Sequence, residues 1–232
     1  EKVLEAVKKV KNYPQKQALE KAIDEEFEKT KDKERYKQKL KQLEFEFKPE
    51  IKYDRLKIKF LANHYYLPVI VSETEKIDYL NHIINVDSEV RFIEELEQYL
   101  QKYDNVFKRF DWWMFSKIDQ TLDEISIPYY NPKENNIANF KSDFIFWAQQ
   151  GKRYFILFVD PKGTEHADGY RKIDGFSRIF EIDINGQKQS KDFSYNGFNI
   201  KTKLLLKPRR GIADVLENYK RYWFDNFDDF AS

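Results

Sequence analysis

The chain has 232 residues, of which 41 are Lys or Arg and 40 are Asp or Glu, so its formal net charge of +1 points neither to nucleic acid nor to an acidic partner. Cysteine is absent, which excludes disulfides and thiolate metal sites and fits a reducing cytoplasm. Aromatic residues make up 17% of the chain, ample for a core despite a negative mean hydropathy, and no run approaches the roughly 18 apolar residues of a membrane span.

The amino terminus carries no signal-peptide pattern, and Glu1 in place of an initiator Met leads to the expectation of a piece from a longer protein. Residues 1–47 read as highly charged helix, interrupted at Pro14. Leu19, Ile23 and Phe27 form one narrow stripe, and Tyr36, Leu40 and Leu43 a second. This segment is expected as a helical arm or connector, or as an amphipathic helical pair lying against the rest of the chain.

From Glu50 the period changes. Leu56, Ile58 and Phe60 alternate with Lys57 and Lys59, and the apolar run 65–71 follows, so residues 48–74 are expected as a β-hairpin extension with Pro68 at an edge or bulge. His64, alone among aromatics, reads as a packed histidine. The boundary falls near residues 47–52, and 75–232 is expected as the main domain, opening with a short helix over 75–84.

A clearer helix follows. Asp87 or Ser88 offers an N-cap, and Phe92, Ile93, Leu96 and Leu100 share one face. Glu89 belongs to that face, either as a first-turn acid favoured by the helix dipole or as a carboxylate aimed at a site; Glu94, Glu95 and Glu97 lie nearby. Residues 103–130 are densely aromatic, with strands expected around 113–118 and 125–129. Trp112 and Trp113, beside Lys108, Arg109 and Lys117, could stack on bases or enter the core.

Residues 140–163 read FKSDFIFWAQQGKRYFILFVDPKG: two apolar runs joined at Gly151-Lys152, which fits a two-residue hairpin loop with Gly first. Counting outward from that turn pairs Gln150 with Arg153 and brings Asp143 opposite Asp160, with Lys162 on the same side. Like charges facing one another destabilise a strand pair; a Mg²⁺ ion, which favours one or two carboxylates plus waters and phosphate, removes that penalty.

Beyond the hairpin, Tyr170, Ile173, Phe176, Ile179 and Phe180 follow helical spacing. His166 lies near the acids with no second ligand close in sequence. Residues 192–206 suggest strand structure, and Lys201, Lys203, Lys207, Arg209 and Arg210 form an acid-free basic stretch, either a phosphate-binding surface or a solvated edge that discourages aggregation. A last helix is expected over residues 212–225, before an acidic tail.

Two acids with sixteen residues between them, a lysine two positions after the second, and a preceding helix bearing Glu89 resemble the PD-(D/E)xK nuclease superfamily. More narrowly, SEVRFIEEL, WWMFSKID, IPYYNP, SDFIFW and FVDPKG resemble, in that order, the endonuclease domain that follows the DEAD/DEAH-type motor in type III restriction subunits and related defence helicases. The likeness spans roughly residues 75–223. It implies an α/β (α+β), restriction-endonuclease-like fold: a mixed central sheet flanked by helices, in helix–strand–strand–strand–helix–strand order, with the helical arm ahead of it.

The resemblance also implies Mg²⁺-dependent hydrolysis of phosphodiester bonds in DNA, double-stranded by preference, with Mn²⁺ able to substitute. Asp143 and Asp160 would bind the metal, Glu89 would complete its shell, and Lys162 would orient the attacking water. Ser142 stands where the motif name has Pro. No P-loop signature occurs, so a helicase or ATPase motor, and possible methyltransferase or specificity subunits, would be partners outside this chain. The competing expectation is a non-catalytic nucleic-acid-binding or motor-docking module with a vestigial site.

Overall fold

The structure, a computed structural model, describes residues 1–72, 82–161, 168–207 and 215–231. They form two compact units, Glu1–Asn85 and Val86–Ser232. No described helix is long and apolar enough to cross a membrane.

In the first unit, α1 (Lys2–Lys11) stops short of Pro14, which heads α2 (Gln15–Thr30) with φ −58°, the value its ring imposes. Lys31, left-handed at φ 55°, ends α2, and the Asp32 carboxylate caps α3 (Lys33–Glu46) by accepting the Arg35 N–H at 3.1 Å. The two apolar stripes therefore sit on separate helices. Phe27 meets Tyr36 with ring centroids 4.6 Å apart, and Glu26 pairs with Arg35 and Lys39.

Strands β1 (Glu50–Tyr53), β2 (Leu56–Lys59) and β3 (Val69–Ser72) form an antiparallel sheet in that order, with Pro68 just ahead of the edge strand. Ala6 and Val10 of α1 are buried together with Leu56 and Ile58 of β2. The face of the small sheet bearing Leu56 and Ile58 is apolar, and α1 is what covers it, so the first helix lies against the strands that follow it.

His64 is buried beside Tyr66, and burial pushes its pKa down to about 4. The helix expected over 75–84 lies mostly outside the described residues; at its end Ile84 makes a parallel bridge to Val71 instead.

The second unit begins with α4 (Asp87–Leu100), which starts at the residue expected to cap it and buries Glu89, Phe92, Ile93, Leu96 and Tyr99. There follow β4 (Trp112–Lys117), β5 (Ile127–Asn131), β6 (Asn136–Phe140), β7 (Phe144–Gln150), β8 (Arg153–Asp160), α5 (Asp168–Phe180), β9 (Glu181–Ile184), β10 (Gln187–Ser190), β11 (Phe193–Tyr195) and β12 (Phe198–Leu206). The central sheet runs β11-β12-β8-β7-β4. It is mixed: β12 lies parallel to β8, joined through α5 as a parallel connection requires, and the other pairs are antiparallel.

Both faces of this sheet are covered, which is why β7 and β8 are apolar at nearly every position. On one side Phe92 of α4 lies 5.0 Å from the Phe144 ring and 6.1 Å from that of Phe146. On the other, Ile145, Phe158, Leu204 and Leu206 meet Ile173 and Phe176 of α5. The β7–β8 turn has Gly151 at φ +59° with Gln150 paired to Arg153, as expected of a loop whose first residue must be left-handed.

Three elements depart from expectation. Residues 132–135 turn β5 back into β6, an unexpected second hairpin. An unexpected β9–β10 hairpin follows α5. Over its described residues the last helix is instead a 3-10 turn, Glu217–Tyr222, because Trp223 is extended and bridges Leu206, whose carbonyl accepts the Phe224 N–H at 2.9 Å. The β5–β6 hairpin is pinned to α5 at Gly175, where a Cβ would stand 2.6 Å from the Pro128 carbonyl oxygen and 2.8 Å from Tyr129 Cβ.

Candidate functional site

Pairing between β7 and β8 runs from Gln150↔Arg153 to Phe144↔Val159, so the next positions outward are Asp143 and Asp160, in the register counted from the turn. Their backbones are held from either side. The Asp143 carbonyl accepts the Ile118 N–H at 2.9 Å, and the Asp160 carbonyl accepts the Lys207 N–H at 3.0 Å. Ser142 is buried, and its hydroxyl donates to the Phe144 carbonyl at 3.0 Å, shaping the bend from which Asp143 enters the sheet.

Glu89, Asp143 and Asp160 are 1%, 5% and 6% exposed, unusually deep for carboxylates. Glu89 is the buried acid of α4; Glu94 and Glu95 are exposed and Glu97 half-buried. The helical stripe that buries Phe92 and Ile93 carries Glu89 inward one turn earlier.

The residue that joins Glu89 to Asp143 is Lys117, the last of β4, which the sequence reading placed only among the bases near Trp112 and Trp113. It pairs in register with Phe144 and is itself 8% exposed. Its Nζ lies 2.7 Å from Glu89 Oε1, 3.7 Å from Asp143 Oδ1 and 5.4 Å from the centre of the Phe144 ring. A buried ammonium needs such compensation. The detectable signal was Glu89 itself, since an acid on a core-facing stripe calls for a cation.

Among the described residues no three His, Asp or Glu side chains converge closely enough to hold a metal ion by themselves. The donor chemistry nevertheless suits Mg²⁺. Two hard-oxygen ligands from α4 and the mouth of β7 already share one cationic group, and Mg²⁺ is commonly held by one or two carboxylates with waters.

A model of the YagJ family matches residues 80–193, a little under half of the chain. The chain is similar to that family over a span that contains Glu89, Lys117, Asp143 and Asp160 and stops before β12. No curated protein and no solved structure matches.

Lys162, His166, Arg209 and Arg210 lie outside the described residues. The three described lysines of the basic stretch are engaged within the fold. Lys201 pairs with Asp192, Lys207 with Glu95, and Lys203 Nζ donates to the Asp229 carbonyl at 3.5 Å. Burial pushes the pKa of both Lys203 and Lys207 down. Trp113 is core, against Phe107 at 4.3 Å, whereas Trp112 is 39% exposed and donates its indole N–H to Gln149 Oε1 at 2.8 Å.

A second buried polar cluster was not anticipated. Glu181 accepts from Arg221 at 2.7 Å and from the Tyr222 hydroxyl at 2.5 Å; burial, then this hydrogen bond, raises the Tyr222 pKa. Glu181 opens β9 directly after α5, whereas Arg221 and Tyr222 lie in the 3-10 turn beyond β12, so the partners meet only after folding.

Proposed function

We propose that the second unit is a metal-dependent endonuclease domain of the PD-(D/E)xK kind, hydrolysing phosphodiester bonds in DNA within a larger helicase-containing restriction or defence protein. The observation that carries this reading is the convergence of Glu89 and Asp143 on one cationic group at the sheet end where Asp160 closes β8. The order α4, β4, β7, β8, α5, β12, with β12 parallel to β8, supports it, being the order the resemblance implies.

On this reading Asp143 and Asp160 offer oxygens to Mg²⁺ or Mn²⁺, with Glu89 adding its own directly or through water. The bound ion supplies charge stabilisation and a water of lowered pKa. Lys162 would orient that water, and the motor and any specificity subunit would lie elsewhere. Supercoiled plasmid incubated with the chain and Mg²⁺ or Mn²⁺ tests the reading: nicking or linearisation should be lost in Asp160→Ala and in Lys162→Ala, and cleavage surviving both changes would sink it.

One observation favours a second reading, a nucleic-acid-binding or motor-docking module whose site is vestigial. Lys117 already compensates Glu89 and Asp143, so the buried acids can persist with no metal. Salt-dependent DNA binding unaffected by Asp160→Ala, without divalent-metal binding at equilibrium, would select it.

A further inference from the structure

We propose that Lys117 is a built-in counter-ion of the acidic site, a positioning residue that holds the Glu89 and Asp143 carboxylates together and competes with a divalent cation for them. The proposal rests on reading those two acids as metal ligands.

The geometry gives Lys117 little choice of partner. It ends β4 directly opposite Phe144, the Phe92 ring of α4 lies 5.0 Å from Phe144, and Glu89 sits one helical turn before Phe92. Strand register and helix packing thus fix both ends of the ion pair from elements remote in sequence. The ammonium of Lys117 lies 5.4 Å from the centre of the Phe144 ring and reaches Glu89 Oε1 at 2.7 Å and Asp143 Oδ1 at 3.7 Å. The Lys117 and Glu89 side chains are 10% and 2% exposed, so water screens the arrangement poorly.

A divalent ion bound to the same oxygens would stand within a few ångström of the ammonium, and like charges at that separation repel strongly where the dielectric is low. Ion and ammonium therefore exclude one another. Metal entry requires Lys117 to swing away, which its four-carbon stem permits. The site is held shut by a cation of its own, and the affinity of the wild-type chain for metal is lowered by the work of displacing it.

The test is calorimetric titration of the 232-residue chain with Mn²⁺, for wild type, Lys117→Met and Lys117→Arg. Lys117→Met keeps the length of the stem and removes the charge, and it should bind Mn²⁺ at least about ten times more tightly than wild type. Lys117→Arg keeps a cation and should bind no more tightly than wild type. Should Lys117→Met be unfolded without metal, Mn²⁺ should restore its circular dichroism where NaCl of equal ionic strength does not; failure to restore it overturns the proposal. Equal Mn²⁺ affinity in wild type and Lys117→Met overturns the competition while leaving the metal site standing. Absence of Mn²⁺ binding in all three chains removes both the competition and the metal-site reading.

Discussion

Lys117 Nζ lies 2.7 Å from Glu89 Oε1, and neither side chain is more than 10% exposed. Removing one member of such a pair strands a buried charge, typically at about 3–5 kcal/mol. Urea denaturation with a chelator present should show Lys117→Met destabilised on that scale. Adding Glu89→Leu should recover part of the loss, since an apolar pair of similar volume is often tolerated. Recovery stays partial because Asp143 remains nearby. A loss under about 1 kcal/mol for the single change would place the pair in the class of exposed salt bridges.

Gly175 makes a prediction whose sign is diagnostic. In an exposed helix, Gly→Ala stabilises by about 1 kcal/mol. At Gly175 of α5 the added methyl would meet the Pro128 carbonyl oxygen at 2.6 Å, a backbone atom that cannot rotate aside. Overpacking of this kind costs about 1–3 kcal/mol, so Gly175→Ala should lower the thermal midpoint. An unchanged or raised midpoint would show that the β5–β6 hairpin is free to shift off the helix.

The β7–β8 hairpin was readable because its two-residue turn fixes the register, and register alone puts Asp143 and Asp160 at adjoining strand ends. The α4 and α5 faces were readable for the same kind of reason, a local period. Lys117 was not, because what makes it part of the site is a strand pairing to Phe144 and a helix packed over it. The internal partners of the basic stretch were hidden for the same reason: no acid interrupts it locally, yet the Asp192 and Glu95 carboxylates and the Asp229 carbonyl reach it from other elements.

Two hairpins went unread although their turns carry the strongest local signal. Asn185-Gly186 and Asn196-Gly197 have positive φ at both residues, the primed-turn pattern. β9, β10 and β11 are short and largely exposed, so only residues 192–206 were read as strand and neither turn was recognised. Asp32 likewise offered a visible N-cap for α3, but two short stripes of similar spacing on either side of it read as one rod.

The buried His64 ties the stability of the first unit to pH. Burial holds its pKa at about 4 in the folded state against 6.5 ordinarily, so between those values the unfolded chain binds the proton and the folded one does not. The stabilisation is fully present above pH 6.5 and is lost as pH falls toward 4. From pH 7 to 5 this group alone should remove about 2 kcal/mol. Comparing wild type with His64→Phe by denaturant unfolding at both pH values checks it. The variant should lose less stability by about that amount, and parallel losses would assign the acid sensitivity to other groups.

The basic stretch should divide when DNA binding is measured against salt. Lys201 is paired with Asp192, whose side chain is 71% exposed and readily gives way to a phosphate. Lys203 is turned inward to the Asp229 carbonyl, and Lys207 is engaged by Glu95. Each phosphate contact contributes about 0.9 to the slope of log K against log salt on duplex DNA. Fluorescence anisotropy over a KCl series should therefore show Lys201→Ala lowering that slope by about 0.9. Lys203→Ala should leave it unchanged while lowering the thermal midpoint, because the stem packs inside the fold. Glu95→Ala should tighten binding by releasing Lys207. Equal slope losses at Lys201 and Lys203 would mean that Lys203 turns outward to meet the backbone, and that the inward contact gives way on binding.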